Sequence, residues 1–127
     1  MTDYSLEKLQ ADLAGSDWPE LRDWQWQDAA VELNLLISED ISWFAGHFPQ
    51  QAVLPGVVQT HWAAELAKKL FPVKGPFQRI NNLKFKTMIM PGTELVLQLK
   101  YNAEKQAIAF SYHDSEQEFS TASLVFS

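Results

Sequence analysis

The sequence predicts an α+β domain in which one long helix packs on an antiparallel sheet. Three observations predict this class: a helical pattern with one apolar face over residues 55–70, alternating segments after residue 76, and turn residues between those segments. An early helix followed by a run of strands is the α+β order. Because 127 residues leave room for one ordinary domain, residues 1–127 are expected to form a single unit.

The elements follow from local signals. Ser5 is predicted to cap a first helix that stops at Gly15, because leucines recur between them at helical spacing. The tryptophan-rich stretch that follows is interpreted as irregular, so residues 1–27 are expected to form a helix and a lead-in. Residues 30–37 alternate and are predicted to form a strand. Further strands are predicted at 83–86, 95–101, 107–112 and 119–126, with a turn at Pro91-Gly92.

The central helix is predicted to begin at Pro55-Gly56 and to run to Leu70, with Pro72 just beyond its end. Projection at 100° per residue places His61 and Glu65 on the side opposite the apolar arc, together with two lysines. The apolar arc comprises Trp62, Ala63, Ala64, Leu66, Ala67 and Leu70.

Composition excludes several function classes. The chain has no cysteine, which excludes disulfides, thiolate zinc sites and a cysteine nucleophile. A net charge of −6 argues against general binding to nucleic acid or to an anionic membrane. The amino terminus lacks the features of a signal peptide, and polar residues interrupt the uncharged stretch 41–64. We therefore expect a cytoplasmic protein with neither a membrane nor a nucleic-acid partner.

Three segments carry a family resemblance. Residues 46–59 contain His-Phe-Pro followed by Val-Leu-Pro-Gly-Val-Val, residues 83–95 contain Met-Pro-Gly-Thr, and residues 119–126 form the last predicted strand. Together they resemble the β-hydroxyacyl-acyl-carrier-protein dehydratases of the hotdog fold. The resemblance runs from Val31 to the carboxyl terminus. The tryptophan-rich amino-terminal part is more similar to the dehydratases of aryl-polyene and related specialised lipid clusters.

The resemblance implies a reaction and its partners. It implies a hotdog fold, in which the central helix is wrapped by an antiparallel sheet. It also implies dehydration of a 3-hydroxyacyl thioester to the trans-2-enoyl product, without metal or organic cofactor. An acyl carrier protein would deliver the substrate on its phosphopantetheine arm. The protein would be a homodimer with an acyl tunnel near the subunit interface, where His47 and His61 come from opposite chains.

The resemblance also assigns the site residues. The catalytic histidine of the family falls on His47, and an imidazole can accept a proton at neutral pH. Gly56 matches the glycine whose amide binds the thioester carbonyl, and a residue at a helix start offers an unpaired N–H. The acidic partner of the family falls on His61, which departs from the usual Glu or Asp. The substrate-binding positions are Phe48, Pro55, Gly56 and Val57.

The departure at His61 motivates a hypothesis. An imidazolium can protonate a leaving hydroxyl as a carboxylic acid does, and Glu65 lies one turn further on, where a carboxylate favours the charged imidazole. Glu65 paired with Lys69 at the surface is the alternative interpretation. The loop also departs from the family at Gln50 and Ala52, where Gly and Pro are usual.

Charge patterning predicts a docking surface. The stretch from Lys68 to Lys86 contains six basic residues and no acid, on a chain that is acidic overall. Such a patch suits an acidic carrier protein, and Arg79, Lys84 and Lys86 are the predicted contacts. A solvated face is the alternative.

Two other functions stay open at this point. A hotdog thioesterase would use a helix carboxylate, for which Glu65 is available, and a non-catalytic acyl-thioester-binding protein would explain the absent acid at position 61. His47 and His61 have no clear third ligand, so no metal site is predicted. His113 is expected to be exposed and without function, and the tryptophans to belong to the core or to an interface.

Overall fold

The computed structural model describes residues 4–44 and 52–127. Alternation of apolar and polar residues produces six antiparallel strands in one sheet, in the order β1-β2-β4-β5-β6-β3. The strands are β1 (Glu20–Gln27), β2 (Ala30–Leu36), β3 (Phe77–Phe85), β4 (Glu94–Asn102), β5 (Ala107–His113) and β6 (Glu118–Phe126). The helices are α1 (Leu6–Asp12), a short 3₁₀ helix (Ser42–Phe44) and α2 (Gly56–Leu70).

The α2 helix lies on one face of the sheet, as the apolar arc predicted. It begins after Pro55, and it ends where Phe71 adopts an extended conformation. Trp62 and Leu66 on its inner side are fully buried, in one apolar cluster with the inward side chains of the strands. His61 is exposed on the other side. The lysines of the last turn suit the negative end of the helix dipole.

A buried polar network ties the first turns of α2 to the sheet. The side chain of Gln59 donates from Nε2 to the carbonyl of Leu54 at 3.1 Å, and its Oε1 accepts from the Ser120 hydroxyl at 2.7 Å. The backbone carbonyl of Gln59 accepts from the Tyr112 hydroxyl at 2.7 Å. Burial raises the pKa of Tyr112 well above its usual range, so this phenol remains a donor.

The first helix and the strands predicted within β2, β4, β5 and β6 are confirmed. The strand predicted at 83–86 is only the end of β3, because most side chains of that strand are exposed and two register shifts break its alternation. The hydroxyl of Ser5 accepts from the backbone N–H of Lys8 at 3.1 Å, which makes it the cap of α1. The turn at Pro91-Gly92 is also present, with Gly92 at a φ of 86°. None of the helices in the described ranges is long and apolar enough to cross a membrane.

The interpretation of the stretch before residue 27 as irregular was wrong, because it contains strand β1 (Glu20–Gln27). A bulge between Leu21 and Asp23 shifts the register against β2 and breaks the alternation that marks a strand. Most β1 side chains are also exposed, so apolar content gives little signal. The hairpin turn to β2 follows at Asp28, whose φ of 54° lies in the left-handed region.

We expect Ser120→Ala to lower the free energy of unfolding by about 1–3 kcal/mol, because the buried Oε1 of Gln59 loses its donor. Urea denaturation measures this loss. The matched control is Ser123→Ala on the same strand, which we expect to change stability by less than about 0.5 kcal/mol. Equal effects of the two substitutions would contradict the role of the network.

Candidate functional site

A groove of about 300 Å³ opens at the amino-terminal end of α2. This volume lies at the lower end of the range for small-molecule sites, about 300–1,000 Å³. One wall is the segment that leads into the helix, and the other follows the end of β3. The lining residues are Val53, Leu54, Pro55, Gly56, Gln59, Phe85, Lys86, Thr87 and Met88.

The first turn of α2 has backbone donors without a partner among the described residues, and one of them belongs to Gly56 in the groove lining. The backbone N–H groups of Val58 and Gln59 donate to the carbonyl of Pro55, at 3.1 and 3.2 Å. The N–H groups of Gly56 and Val57 have no acceptor within residues 4–44 and 52–127. They add to the positive end of the helix dipole, so the groove favours an oxygen atom that carries or develops negative charge.

Gly56 lies directly under an aromatic ring. A Cβ atom added at this position would lie 2.4 Å from Cζ of Phe85, far inside van der Waals contact. Phe85 is nevertheless 52% exposed. The missing side chain of Gly56 therefore lets Phe85 form the outer wall of the groove beside the free N–H.

His61 lies outside the groove of its own chain. Its imidazole is exposed on α2 and is not among the groove-lining residues. The ring of Trp18 stacks on it, with ring centroids 5.9 Å apart and ring planes inclined by 27°. The structure thus places Pro55, Gly56 and Lys86 around one groove, and it places His61 elsewhere on the helix surface.

Glu65 is engaged by a different lysine from the one that the spacing rule indicated. Its carboxylate lies 3.8 Å from Nζ of Lys68, whereas Lys69 lies 3.7 Å from the carboxylate of Asp12 on α1. The expected Glu65–Lys69 pair was therefore wrong, because α1 packs close enough to compete for Lys69. Within the described ranges, neither a hydrogen bond nor an ion pair joins Glu65 to His61.

Two of the predicted site residues, His47 and Phe48, lie outside the described residues. Val57 is described, and its side chain is 77% exposed at the start of α2.

The predicted docking residues differ in their surroundings. Arg79 and Lys84 are exposed on β3, where Arg79 donates to the side-chain carbonyl of Gln78 at 3.3 Å. Lys86 instead forms an ion pair with Glu118 on β6. The hydrogen bond from Lys86 lowers the pKa of the Glu118 carboxyl below its usual range. The charge of Lys86 is thus locally compensated, and Arg79 and Lys84 are the more accessible cations.

Wider depressions lie elsewhere on the described surface. Two of them, of about 480 and 460 Å³, flank His113, and a third of about 360 Å³ lies between α1 and β1. All side chains that line the depression of about 460 Å³ are polar or charged, and none of the three depressions is lined by the start of α1 or α2. His113 is half-buried rather than exposed, with Nδ1 3.1 Å from the Ser111 hydroxyl. The smaller groove at Gly56 therefore fits a reaction site better.

Sequence reasoning missed three residues around the site. Gln59 could have been found from the sequence. It is a polar residue on the apolar arc, one turn before Trp62 and Ala63, and such a position indicates a buried hydrogen-bond network. No sequence pattern indicated Phe85 or Trp18, because each contacts α2 from a distant part of the chain.

Comparison with known proteins gives the family. The family model described as ApeI-like, the ApeI dehydratase, matches residues 23–123. The chain belongs to the ApeI-like dehydratases. A chain of the dehydratase heterocomplex ApeI:P from Xenorhabdus doucetiae is 29% identical and superposes with a TM-score of 0.76. That match covers 84% of this chain and 96% of the other.

Two further proteins are similar to this ApeI-like chain, one in sequence and one in fold. A 3-hydroxyacyl-[acyl-carrier-protein] dehydratase FabZ from Tolumonas auensis is 34% identical over 82 residues, which is 58% of this chain and 54% of that protein. The alignment thus spans only about half the length of that curated relative. A thioesterase from Haemophilus influenzae superposes with a TM-score of 0.65 at 14% identity, over 97% of this chain and 89% of the other, which shows a shared fold. The α+β hotdog fold is confirmed.

We expect the cost of Gly56→Ala to depend on Phe85. With Phe85 present the new methyl group meets the ring, whereas a Phe85→Ala background removes the three ring atoms nearest to it. The two substitutions should therefore couple by about 0.5–3 kcal/mol in a double-mutant cycle of unfolding free energies. Leu83→Ala, two residues along the same strand, serves as the control second site. An equal cost of Gly56→Ala in all backgrounds would contradict the contact.

Proposed function

We propose that this chain is a hydro-lyase that dehydrates 3-hydroxyacyl thioesters to trans-2-enoyl thioesters. The observation that carries the proposal is the groove at Gly56, in which the glycine of the dehydratase motif presents a free N–H beside a pocket of small-ligand size. Membership of the ApeI-like family supports the same reaction.

The thioester carbonyl would accept the hydrogen bond from the Gly56 N–H. Loss of the proton on C2 moves negative charge onto this oxygen, so a donor fixed in advance stabilises the transition state more than the substrate. Donors of this kind contribute about 3 kcal/mol each in other enzymes. The positive end of α2 acts in the same direction.

Two imidazoles would move the protons. His47, which the motif assigns as base, accepts the proton from C2 as electrons move toward the thioester carbonyl. The bond between C3 and the hydroxyl oxygen then breaks, the double bond forms between C2 and C3, and protonated His61 gives its proton to the departing hydroxyl, which leaves as water. His61 thereby replaces the carboxylic acid of other family members. Glu65 is not needed for this step, since its carboxylate lies at Lys68.

The exposed position of His61 supports a dimeric site. In one chain His61 does not line the groove at Gly56, so a complete site needs an imidazole from a second copy. Among the described strands, β3 lies at one edge of the sheet and offers a surface for that copy. Phe77, Leu83 and Phe85 are apolar and 38–52% exposed along this strand, and the nearby Met88 is 68% exposed. A strand edge with apolar side chains favours pairing with another strand.

The substrate would arrive on an acyl carrier protein. Arg79 and Lys84 provide accessible positive charge on β3, the strand whose end forms one wall of the groove. An acidic carrier would be attracted to this side of the molecule. The narrower proposal is a role in aryl-polyene synthesis, which rests on the similarity of the tryptophan-rich amino-terminal part to the dehydratases of such clusters.

The proposed reaction is tested with 3-hydroxybutyryl and crotonyl thioesters of a soluble pantetheine analogue. Interconversion of the two compounds with no release of thiol supports a dehydratase. Release of free thiol would indicate a thioesterase instead, and binding without turnover would indicate an acyl-thioester-binding protein. A higher kcat/KM for aryl-substituted than for alkyl 3-hydroxyacyl thioesters would support the aryl-polyene assignment, and the reverse order would contradict it.

We expect His61→Glu to retain turnover, because a carboxylic acid can donate the same proton. His61→Ala should lower kcat by about 10²–10⁴-fold, the usual contribution of a general acid. Both are measured by the rate of enoyl thioester formation, and circular dichroism checks that the variants fold. Equal activity of His61→Ala and the unmodified protein would remove His61 from the mechanism.

Reversal of charge at Arg79 and Lys84 is expected to raise KM for carrier-bound substrate by about tenfold while sparing the small thioester. Lys105→Glu, an exposed lysine in the turn between β4 and β5, is the control. Both residues lie on β3, the strand proposed to join the two copies, so light scattering checks that the mass of the dimer is unchanged. Equal losses on both substrates would contradict docking at this surface.

Leu83→Asp is expected to separate the dimer, because it places a charge on the apolar edge of β3. The mass from light scattering should halve, and turnover should fall with it, since each groove then lacks the second imidazole. Gln25→Asp on β1, the opposite edge of the sheet, should keep the mass. A monomeric unmodified protein that gains activity only with a different hotdog chain would contradict the homodimer.

A further inference from the structure

We propose that Trp18 is a positioning residue that holds the imidazole of His61 in the orientation needed for proton donation. The proposal rests on the proposed function and concerns a residue that precedes the family-model match of residues 23–123. It gives a role to the amino-terminal lead-in, which the reaction proposed above does not otherwise use.

The three rings form a continuous contact. The Trp18 indole lies 5.9 Å from the imidazole of His61 at 27°, and 6.4 Å from the ring of Trp62 at 25°. Both separations fall within the range of offset aromatic stacking, 4.5–7 Å between centroids. Trp62 is fully buried, so the indole of Trp18 extends from the core outward to His61.

The backbone beside Trp18 is held on several sides. The carbonyl of Asp17 accepts from the indole N–H of both Trp43 and Trp62, each at 3.0 Å. Ser42 donates from Oγ to the Asp17 carboxylate at 2.5 Å and from its backbone N–H to the carbonyl of Ser16 at 2.7 Å. These four hydrogen bonds fix residues 16 and 17 against α2 and the 3₁₀ helix. The ring of Trp18 therefore has little freedom to leave His61.

His61 has no comparable restraint of its own. Within residues 4–44 and 52–127, no hydrogen bond or ion pair reaches its side chain, and it is exposed. An exposed side chain samples several rotamers, and ordering one of them costs entropy. Contact with an already ordered ring lowers that cost. Because stacking uses the face of the imidazole, both ring nitrogens in its plane stay open to donate.

The contact also suits the charged form that a proton donor must carry. The face of an indole attracts a cation within about 6 Å, so protonated His61 keeps its place on Trp18. Loss of the indole would therefore leave the imidazole present but poorly oriented. A misplacement on the order of 1 Å at a reacting group can lower a rate by roughly 100-fold.

The test compares Trp18→Leu, Trp18→Phe and the control Trp24→Leu with the unmodified protein. Trp24 is a half-buried tryptophan of the same region that contacts the edge of Trp26. Trp18→Leu is expected to lower kcat by roughly 10- to 100-fold with KM of the small thioester nearly unchanged. Trp18→Phe should restore most of the rate, because it keeps an aromatic face, and Trp24→Leu should change kcat less than about twofold.

Nuclear magnetic resonance gives a second readout that does not depend on turnover. Stacking on an indole shifts the ring protons of His61, so we expect its Cε1 proton signal, assigned by its loss in His61→Glu, to move in Trp18→Leu and not in Trp24→Leu. A second test combines Trp18→Leu with His61→Glu, where the added loss should be less than about twofold.

Three outcomes would overturn the positioning role: an unmoved His61 signal, an unchanged kcat in Trp18→Leu, or the same loss with Glu at position 61 as with His. Failure of the proposed function looks different. An unmodified protein without dehydration activity overturns that function, and the His61 signal alone then supports or overturns the Trp18 contact.

Discussion

The buried amide of Gln59 is the interaction on which the placement of the candidate site depends. An amide in an apolar core costs free energy unless its polar atoms are paired, so its partners are fixed with it. Those partners are the carbonyl of Leu54, just before α2, and the hydroxyl of Ser120 on β6. The start of the helix is thereby held against the sheet, and the N–H of Gly56 has a defined direction.

The rest of the site follows from that placement. With the helix start fixed, the end of β3 brings Phe85 over Gly56, and the absence of a Cβ atom lets the ring close one side of a groove. The buried side of α2 is occupied by Trp62 and its neighbours, so only the exposed side can present an imidazole. The helix therefore packs by one face, presents Gly56 at its start to the groove, and carries His61 on its other face outside that groove.

The sequence predicted the features that depend on neighbouring residues, and it missed features that depend on residues far apart in the chain. Helix α2, the turn at Gly92 and the later strands follow from periodicity and turn residues, which act over a few positions. Strand β1 was missed because its bulge breaks the alternation, and its edge position leaves its side chains exposed. The Glu65–Lys69 pair failed because helix spacing does not include α1, whose Asp12 takes Lys69.

The candidate site shows the same difference between residues indicated by a local motif and contacts between distant parts of the chain. The family resemblance assigned Gly56 to the site, and the structure places this glycine in the lining of the groove at the start of α2. The stacking of Trp18 on His61 joins segments far apart in the chain, and pattern reasoning cannot place such pairs. The prediction that the tryptophans belong to the core or to an interface agrees with the packing of Trp18, Trp24 and Trp26 against the core. It did not include the reach of Trp18 to the exposed side of α2.

The decisive experiment is a crystal structure of the protein with a 3-hydroxyacyl thioester analogue that has no proton on C2 and therefore cannot be dehydrated. We expect the carbonyl oxygen to lie about 3 Å from the backbone nitrogen of Gly56, within the groove beside Phe85. We also expect an imidazole of His61, from the partner copy, within hydrogen-bond reach of the 3-hydroxyl. An analogue bound on the outer face of the sheet near His113, with the Gly56 N–H unengaged, would contradict these expectations.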